Sequence, residues 1–581
     1  MASGMLGTAI TGLQAFQRSL ETTSHNISNV NTEGYSRQRV DLATKKEAMI
    51  GVGYIGTGVA ITNITRSYDQ FITTQLRSST AAFGDVDKYS QLASQVDDIL
   101  ADPTVGMEPA IKNFFNAVND ATDDPSSIPA RQVLLSETDI LTSRFDTMNS
   151  RFTQIRGQIN TDMVVVTDEI TALSKSIADI NLKIANAQGQ ASGNQQPNDL
   201  LDKRDTLLNQ LAERVDISVV PSNGNMVSVF MGQGQVLVLD GIANEVLTKP
   251  TAFDSSTLDV YIRTPSGTEG IVTTQITGGS LAGTVRFRNE ILDPAQQRLG
   301  AVAASIAMEF NNIHETGFDL DGTQGELYFK GQGMGSTVIP VAANSTNAVG
   351  SSITVMFDKN NIKNIDYSDY KLDVSAGPVY KLTREADNTS INLSINTTTG
   401  VLSPPVTVPV TELPGISITV SPVGGLTAGD EFLIRPTFTA ASTTLQNITD
   451  PRKVALATNK ATDSNGVEYT ITGPMPGDNR NGLLLAGLEH KQGMLGATAS
   501  FQGGYGLVVS EVGVLTNSAN IATAAQETLL NNAKDSWGNV SGVNLDEEAA
   551  NLIKFQQSYQ AAAQMISVSG TLFDSLLGAV N

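Results

Sequence analysis

Cysteine is absent from the 581 residues, and histidine occurs only at 25, 314 and 490. The first absence removes disulfides, thiolate metal sites and thiol nucleophiles, and three scattered imidazoles make a transition-metal site improbable. Basic residues are also scarce, 37 against 59 acidic ones for a formal charge of −22. That balance disfavours nucleic acid and anionic membranes as partners, since phosphate binding draws on Lys and Arg. No apolar run is long enough to span a bilayer. No Lys or Arg precedes Arg18, and the first apolar residues are spaced rather than massed, so no cleaved signal peptide is expected. These absences fit a cytosolic protein or one exported unfolded through a dedicated route.

Charge is scarcest at the two ends. Residues 1–30 hold only Arg18 and Glu21, and residues 549–581 only Lys554 and Asp574, where the chain average would place about five in each. Both ends nevertheless carry heptads. Leu6, Leu13, Leu20 and Ile27 fall seven apart with Ala9, Phe16, Thr23 and Val30 three residues after each. Leu545, Leu552, Tyr559, Ile566 and Phe573 do the same, with Phe555, Ala562 and Leu576 at the intervening positions. A one-sided seam on an isolated helix is marginal in water, so the two ends are expected to pair as a coiled coil. Their outer faces lack the Glu and Lys of a solvated coiled coil, which suits burial against other subunits and, in a dilute monomer, ends that order only on assembly.

With 40% apolar residues the chain supports several folded domains. The residues 29–35, Asn-Val-Asn-Thr-Glu-Gly-Tyr, read as a helix-ending turn. Residues 36–67 read as extended, and helical patterning resumes from Asp69 to Leu100 and less regularly to Asp124. From Leu141 to Ile184 apolar residues alternate at four and three, with one stutter between Ile159 and Met163. Pro197-Asn198-Asp199 starts a return helix, and Val508 to Ala533 repeats the rhythm. Between them the period becomes two, in runs such as 226–231, 258–263, 352–357, 379–383 and 416–420. A helical patch from Leu299 to Ile313 interrupts these strands. The fold class is α+β and multidomain: a terminal coiled-coil pair and a long antiparallel helical rod bundle with two inserted β-rich modules. The expected domains are 1–40 with 543–581, a rod of 41–217 with 285–320 and 478–542, a small β module 218–284, and a larger outer one 321–477.

Several motifs fail on context. Gly51-Val52-Gly53-Tyr54-Ile55-Gly56 spells a dinucleotide fingerprint, but a β-like run follows where a helix is required. Asp319-Leu320-Asp321-Gly322 opens like a calcium loop, yet Gln324 and Lys330 occupy the positions that need Gly and Glu. No nucleophile elbow or metal-binding His pair occurs. The acidic run 546–548 reads as the first turn of a helix capped by Asn544, with Glu547 at the capping-box position. No enzymatic activity, cofactor or metal is expected.

The stretch Ser24-His25-Asn26-Ile27-Ser28-Asn29-Val30-Asn31-Thr32-Glu33-Gly34-Tyr35-Ser36-Arg37-Gln38 resembles the amino-terminal signature of the bacterial flagellar axial family of rod, hook and hook–filament junction proteins. Gly542 to Glu548, followed by Leu552, Phe555, Gln556 and Tyr559, is similar to that family's carboxyl-terminal pattern, and 197–205 and 477–482 add to it. His25 stands where such signatures more often have Asn. The likeness covers both ends and the rod. Flagellin lacks the Thr-x-Gly-Tyr turn, and hook and rod proteins lack the long heptad helix, so the junction branch fits best.

That resemblance implies a non-enzymatic structural subunit joining hook to filament, a homo-oligomer that contacts the hook protein and the second junction protein. It implies export by the flagellar type III apparatus with a cytosolic chaperone, and a place outside the cell on the flagellum. The assembly seam would be Leu6, Leu13, Phe16, Leu20, Ile27, Leu545, Leu552, Phe555, Tyr559, Ile566 and Phe573, with Asn26, Asn29, Asn31, Thr32, Gly34 and Tyr35 as the axial signature. A secreted β-rich adhesin or glycan-binding protein, acting through the outer modules, is the alternative.

Overall fold

A computed structural model describes the chain except Met1, Asn581 and residues 51–52, 103–105, 191–194, 378, 405–412, 424, 463–467, 471–472 and 474. Gly51 and Val52 of the glycine-rich motif therefore lie outside the described residues, as does the side chain of Leu576. The fold is α+β, with helices at both ends and strands between.

Helix α1 (Ala2–Ser28) leads through the signature turn into a two-part antiparallel ribbon of β1 (Gln38–Thr44), β2 (Ala48–Ile50), β3 (Gly53–Ile55) and β4 (Val59–Arg66). Asp69 accepts the amides of Phe71 and Ile72 and so caps α2 (Gln70–Ala101). After α3 (Met107–Asp123) comes α4 (Ile128–Gln190), 63 residues without a break and roughly 95 Å long by helix rise. It starts a dozen residues before the cleanest heptads. The stutter is absorbed inside the helix, since Ile159 and Met163 on either side of it are both buried. Helix α5 (Asn198–Arg214) returns along α4.

Burial divides α4 into two halves. Its first half packs with α3 and α7 (Asp293–His314) around Phe114, Phe145, Phe152 and Phe310. Its second half, through Met163, Ile170 and Ile177, packs on α5 and on strands in a separate core. Those strands form a four-stranded sheet, β5 (Ile217–Pro221) to β8 (Ile242–Ala243), and a three-stranded one, β9 (Glu245–Pro250), β10 (Leu258–Arg263) and β11 (Glu269–Ile271). Val229, Leu237, Val246 and Val260 cover α4 there, so residues 218–284 share their core with the rod helix. Helix α6 (Gly279–Phe287) runs through one π-turn into α7.

The larger module is an eight-stranded antiparallel sheet whose outermost strands, 341–343 and 352–357, approach each other through an Ile339–Val355 bridge. Alternate residues point inward: Tyr370, Leu372 and Val374 on one strand, Ile416, Ile418 and Val420 on another. This is the period of two seen in the sequence, and it fills the curled sheet with side chains. Asp319 accepts the amides of Asp321 and Thr323, making a tight turn of the calcium-like motif. The chain finishes with two long helices, Phe501–Ser541, antiparallel to α2, and Leu545–Val580. Among the described residues no helix is long and apolar enough to cross a membrane.

His314, at the end of α7, is wholly buried. Its Nδ1–H donates to the Glu326 carbonyl at 2.7 Å, while Nε2 accepts the Ala455 amide at 2.8 Å. The second bond requires the neutral ring, since a protonated Nε2 has no lone pair to accept with. Burial lowers its pKa from 6.5 to about 4, against the pull of Glu326. An unfolded imidazole takes up its proton near 6.5, so this contribution is whole above that pH and is lost as pH falls through about 4. The loss amounts to about 3 kcal/mol. Urea unfolding should therefore show a pH-dependent loss between 6.5 and 4 that shrinks in His314→Gln, and an unchanged slope in that variant would disprove the assignment.

Candidate assembly interface

The two terminal helices lie antiparallel, with Asn26 beside Glu548 at one end and Ala9 and Gly12 beside Ala561 and Met565 further along. On α1 the best-buried residues are small: Ala9, Ala15, Ser19, Thr22, Thr23 and Asn26. Small side chains let α1 fit between the last helix and the β1–β4 ribbon. Leu13, Phe16, Leu20 and Ile27 are half-buried on the flank of that contact, and Leu6 is exposed. Across from them Leu552, Phe555, Tyr559 and Ile566 are half-buried around buried Ala562 and Ser569, whereas Leu545 and Phe573 are exposed.

The pair thus satisfies only part of its apolar surface. Met5 and Ile10 on α1, and Ile553, Met565, Val568 and Leu572 on the last helix, are also exposed on faces that hold almost no charge. Fully covering one such side chain stabilises by about 1.5–3 kcal/mol, so these faces gain from any apolar neighbour.

At its carboxyl end α1 meets a polar joint organised by Asn26, which is 1% exposed. Its Nδ2 donates to the Gln38 carbonyl at 2.8 Å and to Glu548 Oε2 at 3.2 Å. Its Oδ1 accepts the Gln38 amide at 2.9 Å and the Tyr35 hydroxyl at 2.7 Å. All four hydrogen-bonding positions of the amide are filled. The His25 ring meets the Tyr35 hydroxyl at 3.0 Å and its ring edge-on. Burial and the carboxylates of Asp199, Asp202 and Glu548 raise the Tyr35 pKa, which keeps it a donor.

The other signature residues shape the turn. Thr32 donates to Asn29 at 3.2 Å, its amide binds the Asn29 carbonyl, and Asn31 lies exposed. Gly34 has φ +76°, and a β-carbon there would collide with the Thr206 side chain, so glycine meets both a conformational and a steric demand.

From the turn the network spreads both ways. Arg37 grips Glu547 with two nitrogens, at 2.7 and 3.1 Å, and gives Nε to Glu548 at 2.7 Å. Burial opposes its charge, but the bonds and charges of the two glutamates outweigh it and its pKa rises. Asn544 accepts the amides of Asp546 and Glu547, capping the last helix and aiming both glutamates at Arg37.

Toward the rod, the Ser36 amide donates to Asp202 at 2.9 Å and Gln38 Nε2 to Asp199 at 3.0 Å. Arg66 bridges Asp202 and Asp205 at 2.8 and 2.6 Å, and Arg77 reaches Asp205 at 2.6 Å. Burial pushes the Asp202 carboxyl up, against the bonds from Ser36 and Arg66. The joint therefore ties four separate segments: 26–38, 66–77, 198–205 and 541–548.

Sequence reading names Asn26 and Tyr35 as signature residues and includes Arg37, Asp202, Asp205 and Glu548 only within the resembling stretches, with no role, while Arg66 and Arg77 go unnoticed. One signal was present. Asp199, Asp202 and Asp205 recur at three-residue spacing along one side of a helix, an acidic stripe that needs cations. No metal-holding group of His, Asp or Glu occurs among the described residues.

Residues 93–329 match the family model described as the flagellar hook-associated protein FlgK helical domain. Residues 6–35 match the flagella basal body rod protein model, and 539–579 the flagellar basal body rod FlgEFG protein C-terminal model. Flagellar hook-associated protein 1 of Salmonella typhimurium is 31% identical over 577 residues, covering 99% of each chain. The chain belongs to the flagellar hook-associated protein 1 family. The protein of that name from Escherichia coli K12 is 30% identical over 99% of each chain, and that of Bacillus subtilis 25% identical over 99% of this chain and 98% of its own. The flagellar hook junction protein FlgK of Burkholderia pseudomallei shares the fold, with a TM-score of 0.70 at 22% identity over 81% of this chain and all of that one.

The chain is accordingly a structural component of the flagellum at its hook–filament junction, and the adhesin alternative gains no support from these relatives. The two matches to rod-protein models fall on the terminal helices, where the joint and the charge-poor faces lie.

Proposed function

We propose that the chain builds the junction by self-assembly through its paired terminal helices, as a non-enzymatic subunit. The observation that carries this reading is the combination on those helices of almost no charge and exposed Ile553, Met565, Val568, Leu572 and Phe573. A solitary protein gains nothing from such a surface; a subunit buries it in neighbours. The seam from Leu6 to Ile27 and from Leu545 to Phe573 supplies contacts within and between subunits. The axial signature holds the pair at a set angle to the rod.

Neighbours along the axis are the hook protein on one side and the second junction protein on the other. Before assembly the chain is held by an export chaperone and leaves the cell through the flagellar type III apparatus. A chain free of cysteine passes that route without disulfides to undo. The helical rod of 41–217, 285–320 and 478–542 and the two β modules, 218–284 and 321–477, form the outer body. Cells lacking the chain should retain hooks and shed unpolymerised flagellin; normal filaments in such cells would overturn the reading.

A further inference from the structure

Among the described residues the far part of the ribbon stands exposed. Met49 and Tyr54 are directly paired across β2 and β3, and they are 75% and 69% exposed. Ile55, on the opposite face of the ribbon, is 55% exposed. Nearer the base, Leu42 and Ile61 form a second exposed cross-strand pair. Directly opposed residues share one face of an antiparallel ribbon, so each pair is a compact apolar patch. A two-stranded ribbon with so much bare apolar surface is marginal in water until something covers it.

A complementary surface lies on the same chain. A groove of about 390 Å³ opens between α1 and the last helix, lined by Ala9, Gly12, Phe16, Val59, Ala561 and Met565 among others. None of its lining residues is charged, and small residues leave room for a bulky side chain. It continues the contact between α1 and the last helix.

Neither Met49 nor Tyr54 lines the groove of its own chain. Gly58 lies on the groove's rim, and Tyr54 stands in β3, separated from it by the non-strand residues 56–58. The two sides of the ribbon are tied between them by the Lys45 amide on the Gly58 carbonyl, by Thr57 on the Lys46 carbonyl, and by the β2–β3 ladder.

We infer that the ribbon tip of one copy, through Met49 and Tyr54, docks in the α1/last-helix groove of a second copy of this chain. The inference rests on the assembly reading above and names the contact. Tip and groove are different surfaces, so the contact runs head to tail. Each copy then offers a tip to one neighbour and a groove to the other, the arrangement that generates a ring or a helix rather than a closed dimer.

Because the chain has no cysteine, the contact can be tested by paired substitution, Tyr54→Cys with Ala561→Cys, in cells making flagella. Oxidised hook–filament complexes from the double variant should give a ladder of cross-linked multiples of this chain on non-reducing gels. Each single variant should give none. Ladder-free complexes that contain the chain would overturn the tip contact while leaving the assembly reading standing, as would a Tyr54→Cys product joined to a different protein. Complexes that lack the wild-type chain would overturn both. In parallel, Met49→Ser with Tyr54→Ser should leave the purified chain's far-ultraviolet circular dichroism unchanged and raise shed flagellin to the level of cells lacking the chain; filament yield at the wild-type level would overturn the contact.

Discussion

Removal of Leu545–Asn581 should leave a soluble, cooperatively folded chain that cannot enter the flagellum. Among the described residues the last helix packs on α1 and, through its first turn, on Asn26 and Arg37. Among the described residues the large core around Phe114, Phe310 and Phe432 includes none beyond Ala519, and the core of the small module none beyond Val285. Units with separate cores open separately. The main calorimetric transition should therefore stay within about 1 kcal/mol of the full chain, while cells carrying the truncated chain shed flagellin as though it were missing. Filaments of normal length, or a truncated chain that no longer folds, would contradict the division of labour between core and ends. An adhesin acting through the β modules would keep its activity after the same cut.

The second large effect is centred on Asp205. This carboxylate holds Arg66 and Arg77, whose side chains are each 7% exposed. Asp205→Ala leaves Arg66 with Asp202 and the Tyr68 ring, and Arg77 with Asn209. Removing one member of a buried ion pair costs about 3–5 kcal/mol, because the remaining charge stays desolvated without compensation. Urea unfolding should show a loss of that order, and adding Arg77→Leu should recover part of it by removing the stranded charge. A loss under about 1 kcal/mol would mean that these arginines find water or other partners, and that the joint is held by Asn26 and Arg37 instead.

The long elements were legible because their signals are local. Heptads from Leu141 to Ile184 mark α4, and the switch to a period of two marks strands such as Leu258–Arg263 and Ser352–Phe357 to the residue. Less legible was the phase of the terminal seam. The stripe of Leu6, Leu13, Leu20 and Ile27 fixes a period, but α1 is poor in charge on every face, so hydrophobicity alone does not say which side turns inward. The structure buries Ala9, Ala15, Ser19, Thr22, Thr23 and Asn26 most deeply, since α1 has close neighbours on more than one side and only small side chains fit there. The larger residues are left at the margin, available to further copies.

The joint was invisible for a different reason. Asn26 and Glu548 are 522 residues apart, and Arg37 and Glu547 are 510 apart. Polar side chains carry no periodic mark of their partners, so even the acidic stripe of Asp199, Asp202 and Asp205 showed a demand for cations without saying which would answer it. By itself the sequence determined that both ends are helical, neutral and made for company, because composition and spacing are properties of each segment alone. Only the tertiary structure decided how those ends are aimed at the rod, because that angle is set by hydrogen bonds and ion pairs among four segments that meet nowhere but in the folded chain.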